Sequence, residues 1–230
     1  MGGSSIGDVL LGILSFAPAA GRAIQLGILT QSVSPACITQ GSWWLCIFGI
    51  SLNYLMHGFI WHYPKLFTKL CKETVLTSLG STPVDVFSAL EVVAKLAQAV
   101  SLLLYLGVNG CYAMGAALKS SPPWAWLACF GLVAVGQTLN VAMYKAIGCK
   151  GVYYGFKLGC EIPWCSSFPF NVGLRHPQYV GVVLCLAGGL TVLMSAELAQ
   201  LSLPQLVALW ALMYVFMSAT EQAGDNDKDA

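Results

Sequence analysis

Charge is what this sequence has least of. Only 9% of its 230 residues are Asp, Glu, Lys or Arg, against about 25% in an average soluble domain. Hydrophobic residues make up 57%, and long stretches carry almost no charge. That balance excludes a soluble globular chain and indicates an integral membrane protein. Eleven basic and ten acidic residues leave a formal net charge of +1. No basic run is long enough to follow a phosphate backbone, so no nucleic-acid partner is expected. CxxC pairs and Cys/His ligand spacings are missing. The nine cysteines are odd in number, and several lie in apolar blocks where Cys acts as a small hydrophobe. Neither a zinc site nor a disulfide framework is expected, and no metal is called for. The sequence also lacks an Asn-x-Ser/Thr acceptor, an internal repeat and a basic stretch before its first apolar run. The last absence argues against a cleaved signal peptide. Ile6 stands where a myristoylation pattern needs Ser or Thr.

What is present is apolar sequence in blocks. A spanning helix needs ~20 mainly apolar residues. Four blocks meet this, at about 43–61, 86–107, 124–144 and 203–219, and a shorter fifth lies at about 178–195. A weaker segment at 9–29 is broken by Pro18, Gly21 and Arg22, and 31–42 reads as a polar link. The expected fold is all-α, a polytopic bundle of five or six membrane helices. Lys65, Lys69 and Lys72 lie in the segment 62–85; Lys145, Lys150, Lys157 and Arg175 lie in 145–177. The alternating segments carry only Lys119. By the positive-inside rule the two basic segments face the cytosol. Residues 178–219 then form an antiparallel hairpin, with Pro204 at the start of its second helix. The hairpin returns Glu221 to the level of Arg175.

The chemistry concentrates in "FPFNVGLRHPQYVG" at 168–181. Arg175 and His176 directly precede Pro177, which opens a helix. A guanidinium beside a helix N-terminus makes an anion site; the plainer reading is an anchor to lipid phosphate. Glycines at 151, 155 and 159 form one smooth face if 151–159 is helical, suited either to helix packing or to a ligand. Glu91 and Lys95 are read as a mutually neutralising pair at i,i+4. Arg22 and Lys145 can snorkel. Trp61, His62 and Tyr63, in "HGFIWHYPKLF" after His57, read as an interfacial belt with at most a headgroup contact.

"RHPQYVG" followed by Gly188 resembles the Arg-His-Pro-x-Tyr-x-Gly pattern of the isoprenylcysteine carboxyl methyltransferase group. "FPFN" at 168–171 and "GVYYGFKLG" at 151–159 resemble the phosphatidylethanolamine N-methyltransferase branch of the same membrane superfamily. The likeness covers about 125–222, with a looser echo in "LNYLMHGFIWHYPKLFTK" at 52–69. It implies a phospholipid N-methyltransferase with S-adenosylmethionine as methyl donor and no metal. A Gly-x-Gly linked with the donor falls on Ala134, Val135 and Gly136, so its first glycine is absent. A Glu-Glu pair falls on Glu221 and Gln222, so one carboxylate has become an amide. Where the phospholipid branch often has Asp-Asn-Pro, this chain has Arg175-His176-Pro177.

The resemblance implies donor binding by Gly136, Arg175, His176, Tyr179, Glu221 and Gln222. Tyr179 would bond the donor or face its sulfonium, which an aromatic face attracts. Catalysis is expected from His176, whose intrinsic pKa suits a general base, and from Glu221, with Glu161 an alternative base. The domain reading is an N-terminal segment over 1–42, a membrane methyltransferase domain over 43–222 with its core at 125–222, and a short acidic tail over 223–230. The acceptor is a bilayer phospholipid, phosphatidylethanolamine or its mono- or dimethyl form, with a homo-oligomer left open. The endoplasmic reticulum, with the site toward the cytosol, is the location the resemblance implies. Two alternatives remain: a carboxyl O-methyltransferase of isoprenylcysteine type, and a non-catalytic lipid-binding protein on the same scaffold.

Overall fold

In the computed structural model, residues 37, 40–163 and 165–226 are described, without the side chains of 222–226. The segment 9–29 and the tail beyond 226 lie outside the described residues. Seven α-helices and no strand occur among the described residues. They are α1 (Gly41–His62), α2 (Pro64–Glu73), α3 (Pro83–Ser120), α4 (Pro123–Val152), α5 (Pro177–Leu193), α6 (Ala196–Gln200) and α7 (Leu203–Asn226).

Proline sets most of the helix starts. Pro64, Pro83, Pro123 and Pro177 each open a helix, where a missing N–H costs nothing and the fixed φ suits the first turn. Thr82 adds a capping box to α3: its hydroxyl accepts from the Asp85 N–H, and the Asp85 carboxylate accepts from the Thr82 N–H.

Helices α1, α3, α4 and α7 are long and apolar enough to cross a membrane. Helix α5, with 17 residues, sits at the lower limit. The five expected blocks are thus all helical, but two run well past their apolar windows. Helix α3 extends for 38 residues and bends at Gly110, where the backbone leaves helical geometry. Helix α4 reaches Val152 with a break at Gly148, at φ +67°, a conformation that favours glycine. Outward, α1, α3, α4 and α7 present large apolar side chains such as Phe48, Leu103, Leu127 and Phe216. These surfaces suit lipid. The chain is a polytopic helical membrane protein.

Three expectations change here. The basic segment after α1 holds an amphipathic helix: α2 buries Phe67 and Cys71 and exposes Lys65, Lys69 and Lys72. Residues 153–159 form turns, so Gly151, Gly155 and Gly159 make no helical face. Gly155 instead lets the chain close on itself, since a Cβ there would lie 2.6 Å from the Lys150 carbonyl oxygen. The link between α5 and α7 contains a short helix of its own, α6, capped by the Ser195 hydroxyl.

The close approach of two glycines sets the α4–α5 crossing. A Cβ on Gly136 would stand 2.4 Å from the Gly181 carbonyl oxygen, and one on Gly181 would stand 2.5 Å from that of Gly136. Gly136 therefore faces the α5 backbone. Its immediate neighbour is a helix, where a donor contact was expected.

Candidate active site

Five segments bring their chemistry to one end of the bundle. These are the last turns of α1, the first turns of α3, the turn after α4, the start of α5 and the end of the spanning part of α7. The convergence expected from topology is present: His176 Nδ1 lies 3.2 Å from Glu221 Oε2.

Glu221 is the hub. It is buried, so its carboxylate needs partners, and three converge on it. Tyr154 donates to Oε1 at 2.5 Å. Tyr179 also donates to Oε1, and His176 meets Oε2. Position and packing explain why these three reach it. His176 is the residue before α5, where the chain is not yet helical. Its ring stacks on Tyr179, with centroids 5.4 Å apart and planes 6° from parallel. Tyr154 enters from the turn after α4 at φ +52°. That conformation is costly for a non-glycine residue, by about 1 kcal/mol or more, and such strain gathers at functional sites.

Burial first, and then the negative charge of Glu221, hold the Tyr154 hydroxyl well above the ordinary tyrosine range. It is a donor, never a phenolate, near neutral pH. Aromatic walls surround it: Trp61 lies 5.2 Å away and His57 5.3 Å, centroid to centroid. The Lys157 ammonium covers the Trp61 ring at 3.6 Å, a cation–π contact at the site's edge.

A second cluster continues from Tyr154. Its hydroxyl lies 3.0 Å from His57 Nδ1. His57 Nε2 lies 2.9 Å from Glu91 Oε2. Glu91 Oε1 is bonded by Lys95 Nζ at 3.0 Å and by Asn53 Nδ2 at 3.3 Å. His57 and Glu91 are only 5% and 2% exposed. Glu91 therefore does more than neutralise Lys95, and His57 lies inside the bundle, away from the interfacial belt. One sequence signal pointed here: Asn53 and His57 are polar residues at i,i+4 in an otherwise apolar helix. Tyr154 had no such signal, because its role depends on a turn.

Of the remaining expected site residues, Arg175 is exposed at the same end of the bundle, and no described hydrogen bond or ion pair joins it to Glu221. Gln222 continues α7, its side chain outside the described residues. Glu161 is exposed, and no described hydrogen bond or ion pair joins it to the cluster. Among the described residues no group of three or more His, Cys, Asp or Glu side chains is arranged to hold a metal.

A family model for phospholipid methyltransferases matches residues 124–223. A phosphatidyl-N-methylethanolamine N-methyltransferase of Arabidopsis thaliana is 33% identical over 183 residues, covering 79% of this chain and 93% of that protein. No solved structure matches. The matched stretch contains α4, the turn bearing Tyr154, α5 and the Glu221 turn of α7, which together supply the hub.

Proposed function

Because the chain belongs to the phospholipid methyltransferase family, and is thus a methyltransferase, we propose that it moves a methyl group from S-adenosylmethionine to the amine of a phosphatidylethanolamine-type headgroup. The acceptor is phosphatidylethanolamine or its mono- or dimethyl form. The observation that carries this reading is the buried Glu221 carboxylate, held by Tyr154, Tyr179 and His176 at the end of a membrane bundle. A soluble donor and a lipid headgroup can meet at such a level.

The residues present fit the donor. It bears a carboxylate, an ammonium, ribose hydroxyls and a positive sulfur. Glu221 Oε2 has one described partner and can accept from a further donor. The stacked His176–Tyr179 pair offers an aromatic surface to a cation. Arg175, exposed beside the first turn of α5, suits a carboxylate in two-point geometry. Gln222, next along α7, would add an amide. Gly136 acts at one remove, by letting α5 seat against α4.

When bound, the donor supplies a methyl group on a cationic sulfur, open to direct displacement by the headgroup nitrogen. The protein's task is alignment and proton removal. By analogy with lysine, an alkylammonium of pKa ~10 is about one part in a thousand neutral at pH 7, so freeing its lone pair costs about 4 kcal/mol. His176 and Glu221, paired at the hub, are the groups suited to act as the base. Either can take the ammonium proton, on a ring nitrogen of His176 or on a carboxylate oxygen of Glu221. A membrane of the endoplasmic reticulum, with the site toward the cytosol, is the setting that the resemblance and the basic segments favour.

The Arg175-His176-Pro177 sequence also supports a second reading, carboxyl O-methylation of a prenylated cysteine. Both are tested with labelled S-adenosylmethionine and protein in lipid nanodiscs, offered phosphatidylethanolamine, its mono- and dimethyl forms, and a prenylcysteine. Label is expected in the phospholipid and is expected to fall at least tenfold in Arg175→Ala and Glu221→Ala. Label in the prenylcysteine alone moves the protein to the second reading.

A further inference from the structure

We propose that His57 and Glu91 form a buried proton reservoir for the methyl transfer, filled from Glu221 through the hydroxyl of Tyr154. The inference rests on the N-methylation reading, because it addresses where the headgroup proton goes. Neither His57 nor Glu91 reaches the hub directly. Both act through Tyr154 and are positioning residues.

The geometry is an unbroken line of polar atoms through the bundle. Glu221 Oε1 is 2.5 Å from the Tyr154 hydroxyl. That hydroxyl is 3.0 Å from His57 Nδ1, and His57 Nε2 is 2.9 Å from Glu91 Oε2. His57 also meets the Phe87 ring at 4.9 Å, centroid to centroid, and Trp61 lies beyond Tyr154. Beside Tyr154 the line has a side branch to the Tyr179 hydroxyl at 3.4 Å, which leads back to the same Glu221 Oε1. The charged and titratable groups facing it are Glu91 and Lys95 from α3, Tyr153 and Tyr154 from the turn, His176 and Tyr179 from α5, and Tyr214 and Glu221 from α7.

Proton counting defines what the line can do. It has two gaps beside Tyr154, one to Glu221 and one to His57, and two protons fill both. In one arrangement the protons sit on Glu221 Oε1 and on the Tyr154 oxygen, which donates to His57 Nδ1. In the other they sit on the Tyr154 oxygen, which donates to Glu221, and on His57 Nδ1. Moving between them breaks the Glu221 O–H bond, remakes the Tyr154 O–H bond with that proton, and passes the old tyrosine proton to His57.

The proton lost by the headgroup ammonium enters at Glu221 and ends on Nδ1. Nε2–H then donates to the Glu91 carboxylate, which faces the new positive charge. No oxidant or co-reactant is needed. When product leaves, the proton returns along the same atoms to water. A buried imidazole–carboxylate pair is otherwise an expensive way to hold helices together, and the strained backbone of Tyr154 keeps it linked to the hub.

The test compares wild type, His57→Gln, His57→Ala, Glu91→Gln and Tyr154→Phe in nanodiscs containing the phosphatidylethanolamine series, from pH 6.5 to 9. At pH 7 the His57 and Tyr154 variants are expected to be about a hundredfold slower, within the usual range for a lost proton-transfer group. Their deficit is expected to shrink at least tenfold by pH 9, because alkali then removes the ammonium proton. Added imidazole is expected to rescue His57→Ala but not Tyr154→Phe. A deficit constant across pH, with no rescue, overturns the proposal.

A second arm needs no turnover. In protein labelled with 15N-histidine, Tyr154→Phe is expected to shift the ring-nitrogen signals of His57 and His176 together. A shift at His57 alone, or at neither, overturns the reservoir. Wild type inactive on every phospholipid sinks the N-methylation reading instead, and the labelled histidines still decide the reservoir.

Discussion

Tyr154 carries the greatest burden of any single side chain. It donates to Glu221, touches His57 and does so from a left-handed backbone. Its raised pKa has a stability consequence with a definite sign. A tyrosine in the unfolded chain titrates near ~10. The folded state holds the Tyr154 proton more tightly, so its contribution to stability is complete below pH ~10 and is lost as pH climbs toward the folded value. Melting temperature in detergent is expected to fall more steeply between pH 9.5 and 11 in wild type than in Tyr154→Phe, and parallel curves would contradict this. Tyr153 is also raised, by burial first and then by its bond to Tyr144, so the difference between the two proteins isolates Tyr154. At this scale the sequence was half readable. His176 could be named because Pro177 marks the start of α5, and Glu221 because it is the first carboxylate after the last apolar block, though α7 runs on past it; the family resemblance supplied their expected roles. Tyr154 could not, because nothing local predicts φ +52° for a tyrosine. His57 and Glu91 were visible as polar residues in apolar helices, but their partners lie 97 and 34 residues from His57, and spacing on one helix cannot find them.

At the scale of elements, the α4–α5 crossing decides where His176 and Tyr179 stand, and two glycines decide the crossing. The space at Gly136 is filled by α5 backbone and by Cys185 Sγ at 2.7 Å, and backbone cannot turn aside as a side-chain tip can. Gly136→Ala is therefore expected to destabilise the protein by about 1–3 kcal/mol and to lower methyl transfer by shifting α5. Gly131, on the same helix, has nothing within 4 Å of its would-be Cβ. Gly131→Ala is the control and is expected to leave both stability and activity near wild type. Equal melting temperatures for the two variants would remove the crossing from the account. The apolar blocks located the spanning helices well, because a bilayer leaves backbone few alternatives to a helix. They missed the helix ends. Hydropathy stops reporting where helix formers such as Ala116, Ala117, Leu118 and Lys119 carry α3 onward, or where α2 lies amphipathic beside the membrane. The glycines at 151–159 misled for a related reason: repeated glycine signals close approach, and here the backbone approach belongs to Gly155 alone, where the chain folds back on Lys150.

For the whole molecule, the basic segments and the site must lie on the same side of the membrane. Helix α1 ends, α3 begins, α4 ends, α5 begins and the spanning part of α7 ends at the hub, and hydrogen bonds join these five regions directly. Lys65, Lys69, Lys72, Lys145, Lys150 and Arg175 are exposed at or beside those ends. Lys119 lies at the far end of α3, roughly 54 Å along the helix from Pro83 at 1.5 Å per residue. The length exceeds a ~30 Å hydrocarbon core, so Lys119 clears the opposite surface. The positive-inside rule then predicts that the lysine-rich side, and the proposed active site with it, faces the cytosol. Single cysteines replacing Lys72 and Lys119, in protein freed of its other exposed cysteines, give the measurement. A membrane-impermeant maleimide added to sealed microsomes is expected to label Lys72→Cys at once and Lys119→Cys only after detergent. Labelling of Lys119→Cys in intact vesicles, with Lys72→Cys protected, would invert the molecule and require the soluble methyl donor to reach the site from the lumen.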